Sequence, residues 1–259
     1  MFFQIKSYLK FLWHSKNEHG VHSPFVYCLL TKCFYDKGQK PHYQVLSNYR
    51  NALLQNKNIL NVTDFGAGSR VFKSNNRPIY KIAKTAGISE KRARLLYRIS
   101  NYFQPASILE IGTSLGLATS ALSLGNPKAI ITTLEGCPET AKQAQVQLQK
   151  FNCNNVESVV TEFNKFLEIC NLESKIFNLI YFDGNHSKKA TLDYFELLLP
   201  TITNETVWVF DDIHWSHEME EAWEIIKKHP KVIVTIDTFQ WGLVFFRKEQ
   251  RKEHFIIRT

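Results

Sequence analysis

From Ser107 to Arg247 the chain alternates short apolar runs with amphipathic stretches of helical period. The apolar runs predict strands at Ser107–Ile111, Ala129–Leu134, Val156–Val160, Ile176–Phe182 and Thr206–Phe210. Between and after them, the 3.6-residue pattern predicts helices at Leu117–Leu124, Glu139–Phe151, Glu162–Cys170, Lys188–Leu199 and His217–Lys228. Strict alternation of this kind argues for an α/β fold with a mostly parallel sheet and helices on both faces. Two more strands follow, Val232–Asp237 and Leu243–Arg247, with only Thr238–Gly242 between them. That gap is too short for a helical crossover, so the seven-stranded sheet is expected to end in an antiparallel hairpin.

The N-terminal part reads as helical. Phe2, Ile5, Leu9, Leu12 and Trp13 form a stripe, with Lys6 and Lys10 off it. The stripe is expected to pack on the protein's own body, and a membrane surface is the other reading. Ser23 before Pro24 marks a capped helix start, with the helix running to about Tyr35. The preceding His19-Gly-Val-His22 is expected to be a capped histidine turn, with a metal or substrate site as the functional alternative. Further helices are expected at Pro41–Ile59, Pro78–Thr85 and Ser89–Phe103. Asp64-Phe-Gly-Ala-Gly-Ser69 looks like a ligand-binding glycine loop, but no helical pattern follows it, and a flexible loop closing over a site fits better. Pro105 breaks the last of these helices. The expected organisation is a helical extension over 1–104, an α/β domain over 105–248 and a basic tail over 249–259.

Composition narrows the class. The apolar fraction of 44% supports a real core, and no apolar run is long enough for a membrane span. The N-terminus lacks the features of a signal peptide. Five cysteines, none in C-x-x-C spacing, argue against a disulfide framework or a zinc cluster and point to the cytoplasm. The formal charge is +8, with basic clusters at Lys91, Arg92, Arg94 and Arg98 and at Arg247, Lys248, Arg251, Lys252 and Arg258. A solvated surface is the expectation and nucleic-acid binding the alternative. Oligomeric state stays open, a dimer among the options.

In open parallel sheets, ligands bind at the carboxyl ends of the strands. The first end is the motif Glu110-Ile-Gly112-Thr113-Ser114-Leu-Gly116, a strand, a tight turn and a helix start. Its E-x-G-x-x-x-G spacing departs from the pyrophosphate-binding G-x-G-x-x-G, and an acid there suits a cationic amino-acid end better than a phosphate. The second end carries Glu135-Gly136, where an acid can accept both hydroxyls of a ribose. The third carries Glu162 and Phe163, where an adenine ring can sit. The fourth carries Asp183-Gly-Asn-His186 and the fifth Asp211-Asp212, followed by His214 and Trp215. If Asp183, Asp211 and Asp212 converge, their repulsion calls for a hard cation, Mg²⁺ above all. The alternative is that they cap helices or pair with Lys188 and Lys189.

At these motifs the chain resembles the class I S-adenosylmethionine-dependent methyltransferases, over Ser107 to about Arg247. Within them it looks like the metal-dependent small-molecule O-methyltransferases of the catechol and macrocin types. The resemblance implies a Rossmann-like fold and S-adenosylmethionine as cofactor. It puts the methionine end at Glu110, Gly112, Thr113, Ser114 and Gly116, and the nucleoside at Glu135, Gly136, Glu162, Phe163 and Asp183. It also implies Mg²⁺ on Asp183, Asp211 and Asp212, and a small-molecule acceptor; the resemblance does not reach Met1–Gln104, and Trp215, Trp241 and the His19–Phe25 turn are candidates for the acceptor's wall. The catechol-type base is a lysine; here that slot holds His186, next to Asp183. RNA amino-methyltransferases of this fold carry an Asn- or Asp-Pro-Pro-aromatic motif after the fourth strand, and Asp183-Gly-Asn-His186 is not one. RNA is therefore the lesser reading. A binding protein that keeps the fold without catalysis is the remaining one.

Overall fold

The computed structural model describes residues 2–63 and 72–259. The glycine loop Asp64–Ser69 lies outside the described residues. In chain order the elements are α1 (Phe2–His14), α2 (Pro24–Leu29), α3 (Tyr43–Gln55), β1 (Ile59–Asn61), β2 (Asn76–Pro78), α4 (Ile79–Thr85), α5 (Glu90–Phe103), β3 (Ser107–Ile111), α6 (Leu117–Gly125), β4 (Ile130–Glu135), α7 (Pro138–Lys150), β5 (Val156–Val160), α8 (Phe163–Leu172), β6 (Leu179–Phe182), α9 (Lys188–Leu198), β7 (Val207–Asp211), α10 (His217–Lys228), β8 (Val234–Asp237), β9 (Trp241–Phe245) and β10 (Glu253–Ile256). They form two compact units, one of Asp36–Phe163 and one of Met1–Tyr35 with Asn164–Thr259.

In the Asp36–Phe163 unit, β3, β4 and β5 pair in parallel, with Glu110 opposite Thr133 and Glu135 opposite Val160. β3 is buried from Ile108 to Ile111, as expected of a strand covered on both faces. α5 packs closely on α6: Ser100 Oγ donates to Leu122 O (2.8 Å) and Asn101 Nδ2 to Gly125 O (3.2 Å). A Cβ on Gly125 would stand 2.5 Å from Tyr97 O, so only glycine permits this approach. The expected helix Pro41–Ile59 stops at Gln55. Its last residue, Ile59, instead opens β1, which pairs antiparallel with β2. The polar run Gln55-Asn-Lys-Asn58 carries no apolar face to keep a helix packed.

In the other unit, β6 and β7 are parallel, β9 runs antiparallel to both β7 and β8, and the expected terminal hairpin is β8–β9. All seven expected strands are present. An eighth, β10, pairs in parallel with β8. It occupies what the sequence presents as a basic tail. Its buried Phe255 and Ile257 are short apolar anchors in a charged context, which masks the strand signal. The segment after α1 joins this edge: Lys16 N donates to Ile256 O (2.8 Å) and Arg258 N to Lys16 O (3.2 Å). Ser23 caps α2 as expected, accepting from Val26 N, but the helix widens over Leu30–Phe34, where Tyr35 N reaches back to Leu30 O. α10 shows the expected charge order, with Glu218 and Glu220 in its first turn and Lys227 and Lys228 in its last.

The basic clusters are partly committed to the fold. Arg94 pairs with Glu90 and lies over the Tyr43 ring (5.0 Å), and Arg98 donates to Tyr43 Oη (3.1 Å). Arg247 pairs with Glu205 and Glu249. Lys252 donates to Lys228 O and His229 O at the end of α10.

Candidate cofactor cradle and acid–histidine rim

The Asp36–Phe163 unit carries the cradle. β3 delivers Glu110 to its carboxyl end, where the side chain is fully buried. One oxygen, Oε2, accepts from Thr119 Oγ1 on α6 and Thr133 Oγ1 on β4, both at 2.5 Å. Thr113 Oγ1 lies 2.6 Å from Thr133 Oγ1, extending the chain of hydroxyls. The other oxygen, Oε1, is buried without a hydrogen-bond partner. Burial raises the carboxyl of Glu110 to about 7, against the pull of the two threonine bonds and with a further push from the charge of Glu135. A buried acid with one idle oxygen is costly unless a cationic donor satisfies it.

The turn after β3 is left-handed at three positions, Gly112 (φ 102°), Ser114 (φ 48°) and Gly116 (φ 76°). Glu135, at the end of β4, ties this turn to its own: Oε2 accepts from Ser114 N and Oε1 from Cys137 N, both at 2.9 Å. Gly136 sits in the turn before α7. Glu162 is exposed and half-buried Phe163 opens α8 at the unit's edge. Tyr49 on α3 adds a contact from outside the strand ends. Its Oη donates to Leu115 O (2.9 Å), and a Cβ on Gly116 would lie 2.5 Å from that hydroxyl. No short motif marks a tyrosine that reaches this turn from 66 residues away.

The other unit carries the acids of β6 and β7. Asp183 and His186 meet across one turn, with His186 Nε2 3.5 Å from Asp183 Oδ1, and both are partly exposed. Asn185 between them is left-handed (φ 49°), which brings residues 183 and 186 together. The cap of α9 is Ser187, accepting from Ala190 N (3.3 Å), rather than Asp183. Lys188 and Lys189 pair with Glu221 and Asp193.

The expected three-aspartate Mg²⁺ site finds no support in the structure. Among the described residues, no three acid, histidine or cysteine side chains are grouped to hold a metal ion. The reason lies in the turn after β7. Asp211 is buried and uses both oxygens locally, Oδ1 accepting from Asp212 N (2.8 Å) and Oδ2 from Tyr181 Oη (3.1 Å). Asp212 turns left-handed (φ 53°) immediately after it. A metal-holding grouping of Asp183, Asp211 and Asp212 is therefore not supported among the described residues.

Trp241 is buried in β9, edge-on to Tyr181 (6.0 Å), whereas Trp215 remains partly exposed. His19 and His22 are exposed in a turn capped by Asn17 and Ser23, and Phe25 packs on Phe245 and under Arg247. A clamp that the sequence hides lies beside Asp211: His214 stacks on Phe239 (5.1 Å), with Glu220 at Nδ1 (3.0 Å) and Asp237 at Nε2 (2.8 Å). Burial alone would lower its pKa, but the bonds and charges of Asp237 and Glu220 outweigh that and raise it. The three residues come from separate elements, so no local spacing announces them.

Residues 109–213 match a family described as a methyltransferase domain. No curated protein is a significant match to the chain. Among solved structures, the SAH-bound methyltransferase PaMTH1 of Podospora anserina is similar over 86% of this chain and 93% of its own, at 15% identity and TM-score 0.61. The O-methyltransferase of Bacillus cereus in complex with SAH is similar over 85% and 94%, at 18% identity and TM-score 0.55. The SAM-bound O-methyltransferase TomG of Streptomyces achromogenes, involved in tomaymycin synthesis, is similar over 90% and 99%, at 16% identity and TM-score 0.57. The chain has the Rossmann-like fold of these methyltransferase structures. No helix among the described residues is long and apolar enough to cross a membrane.

Proposed function

We propose that this chain transfers a methyl group from S-adenosylmethionine to a hydroxyl oxygen of a small-molecule acceptor. The observation that carries the reading is Glu110: a fully buried carboxylate with one oxygen lacking a partner, at the end of β3 beside a left-handed turn. A ligand ammonium supplies both the charge and the donors that oxygen lacks. Gly112, Thr113, Ser114 and Gly116 shape the methionine end, and Glu135 and Gly136 face the ribose. Glu162 and Phe163 border the base.

When bound, the cofactor supplies an electrophilic methyl group on a sulfonium. His186 takes the proton that the acceptor hydroxyl loses as its oxygen forms the new bond to carbon. Asp183 steadies the imidazolium that results. No step is assigned to Mg²⁺, because Asp211 is held by its own turn and by Tyr181. The O-methyltransferases among the structural neighbours support the oxygen acceptor. Five cysteines without C-x-x-C spacing support a reducing, cytoplasmic compartment.

The test combines calorimetric titration of S-adenosylmethionine with turnover of methyl-labelled cofactor on a panel of phenolic and other hydroxylated small molecules. The wild-type chain should bind the cofactor and label at least one acceptor. His186→Ala should bind the cofactor as the wild type does and lose turnover by about 10²–10⁴-fold. Absence of cofactor binding overturns the reading. Undiminished turnover in His186→Ala removes the histidine from it.

A further inference from the structure

α1 has two apolar faces, and only one is used. Its inner face docks on the unit it belongs to: Phe11 is buried against Phe239 (5.5 Å), Ser7 is buried, Phe3 lies against His217 (5.9 Å), and Gln4 donates to Trp215 O (3.3 Å). The outer face holds the stripe that the sequence reading expected inside. Phe2 is 92% exposed, Trp13 87%, Leu9 62% and Ile5 52%. At 100° per residue these four positions fall within one side of the helix, and Lys6 and Lys10 border it. Between Phe2 and Asn17 the chain has three lysines and no acid.

We infer that this outer face of α1 docks on the surface of an anionic lipid bilayer. An aromatic and aliphatic stripe edged by lysines lies in the membrane interface with its apolar side down. The lysine stems follow the apolar side while their ammonium groups meet lipid phosphates. The charge pattern selects this occupant over a second copy of the chain. In an antiparallel two-fold pair, each helix would set its lysine flank against the other's, with no acid on either to offset the repulsion. The inner contacts with Phe239 and Trp215 hold α1 on the body of the protein, so docking needs no unfolding of the helix.

The experiment is co-sedimentation of the full chain with vesicles of phosphatidylcholine alone and of phosphatidylcholine with phosphatidylglycerol, backed by sedimentation velocity without lipid. Wild-type protein should bind the anionic vesicles and leave the neutral ones. Leu9→Glu with Trp13→Glu should abolish binding while the thermal melt stays unchanged, since both side chains are exposed. Lys6→Ala with Lys10→Ala should weaken binding to anionic vesicles by about 25-fold, about fivefold per lysine. Three results would each overturn the inference: no binding of the wild type to anionic vesicles, binding that survives Leu9→Glu with Trp13→Glu, or a lipid-indifferent dimer that the same pair of substitutions dissociates.

Discussion

Replacing Glu110 with Gln tests the cradle at its most demanding atom. The substitution keeps the shape and keeps an oxygen for Thr119 and Thr133, but it removes the charge and turns the idle oxygen into a donor. An ammonium that loses a charge-assisted bond to a buried acid loses about 1.5–3 kcal/mol, so cofactor affinity should fall roughly 10- to 100-fold. A second consequence appears without cofactor. Burial holds the Glu110 carboxyl at about 7 in the folded chain, against a usual value of 4.5. Between these values the folded state keeps a proton that the unfolded state has released. Wild-type stability should therefore fall as pH rises through this window, by roughly 3 kcal/mol in all, and stay low above it. The Gln variant lacks that fall. Cofactor binding should couple to the same proton: wild-type affinity should strengthen as pH rises to about 7, as the acid ionises, while the variant stays flat. Urea unfolding of the cofactor-free protein across this pH range, with calorimetric titration alongside, measures both. A variant that binds the cofactor like the wild type, or a variant with the same pH slope in stability, would refute the argument.

Two further outcomes follow from the geometry. Gly116→Ala puts a side chain at φ 76° and within 2.5 Å of Tyr49 Oη, so it should destabilise by about 1–2 kcal/mol from the backbone alone, plus the clash; combined with Tyr49→Phe, which removes the hydroxyl, it should cost less than the two single changes together, and strict additivity in thermal melts would show that Tyr49 does not brace the turn. His214→Gln should lower stability most at acid pH: the raised pKa of His214 makes its ion-pair contribution complete below about 6.5 and lost as pH rises through the folded value, so the gap to wild type should shrink on going alkaline. A gap in the urea midpoint that is constant with pH would show that His214 is not charged between Asp237 and Glu220.

Much of the fold is legible along the chain because its signals are local. A buried strand such as β3 is a run of apolar residues, and a helix start such as Ser89 or Ser187 is a capping side chain beside its own backbone. The expected seven strands and the final hairpin follow from these signals. β10 escapes because its apolar run is only Phe255-Ile256-Ile257, flanked by charged residues on both sides. β1 escapes because three residues give no period. The cradle was legible as far as Glu110, the glycine turn and Glu135, since strand ends carry ligands in this architecture. Thr119, Thr133 and Tyr49 were not, since each reaches the site from a different element.

The sequence by itself determined the alternation of strand and helix, the acids at the strand ends and the resemblance that names S-adenosylmethionine. Only the tertiary structure decided what those acids do. Asp183, Asp211 and Asp212 share a composition that suits a metal, yet Tyr181 and the turn at Asp212 take the oxygens of Asp211. Glu110 is an acid of the same kind, yet complete burial leaves one of its oxygens without a hydrogen-bond partner. The stripe on α1 has a helical period, but which of its sides is covered depends on where Phe239 lies. Periodicity is written in neighbours along the chain, whereas desolvation and hydrogen-bond satisfaction depend on residues that only folding brings near.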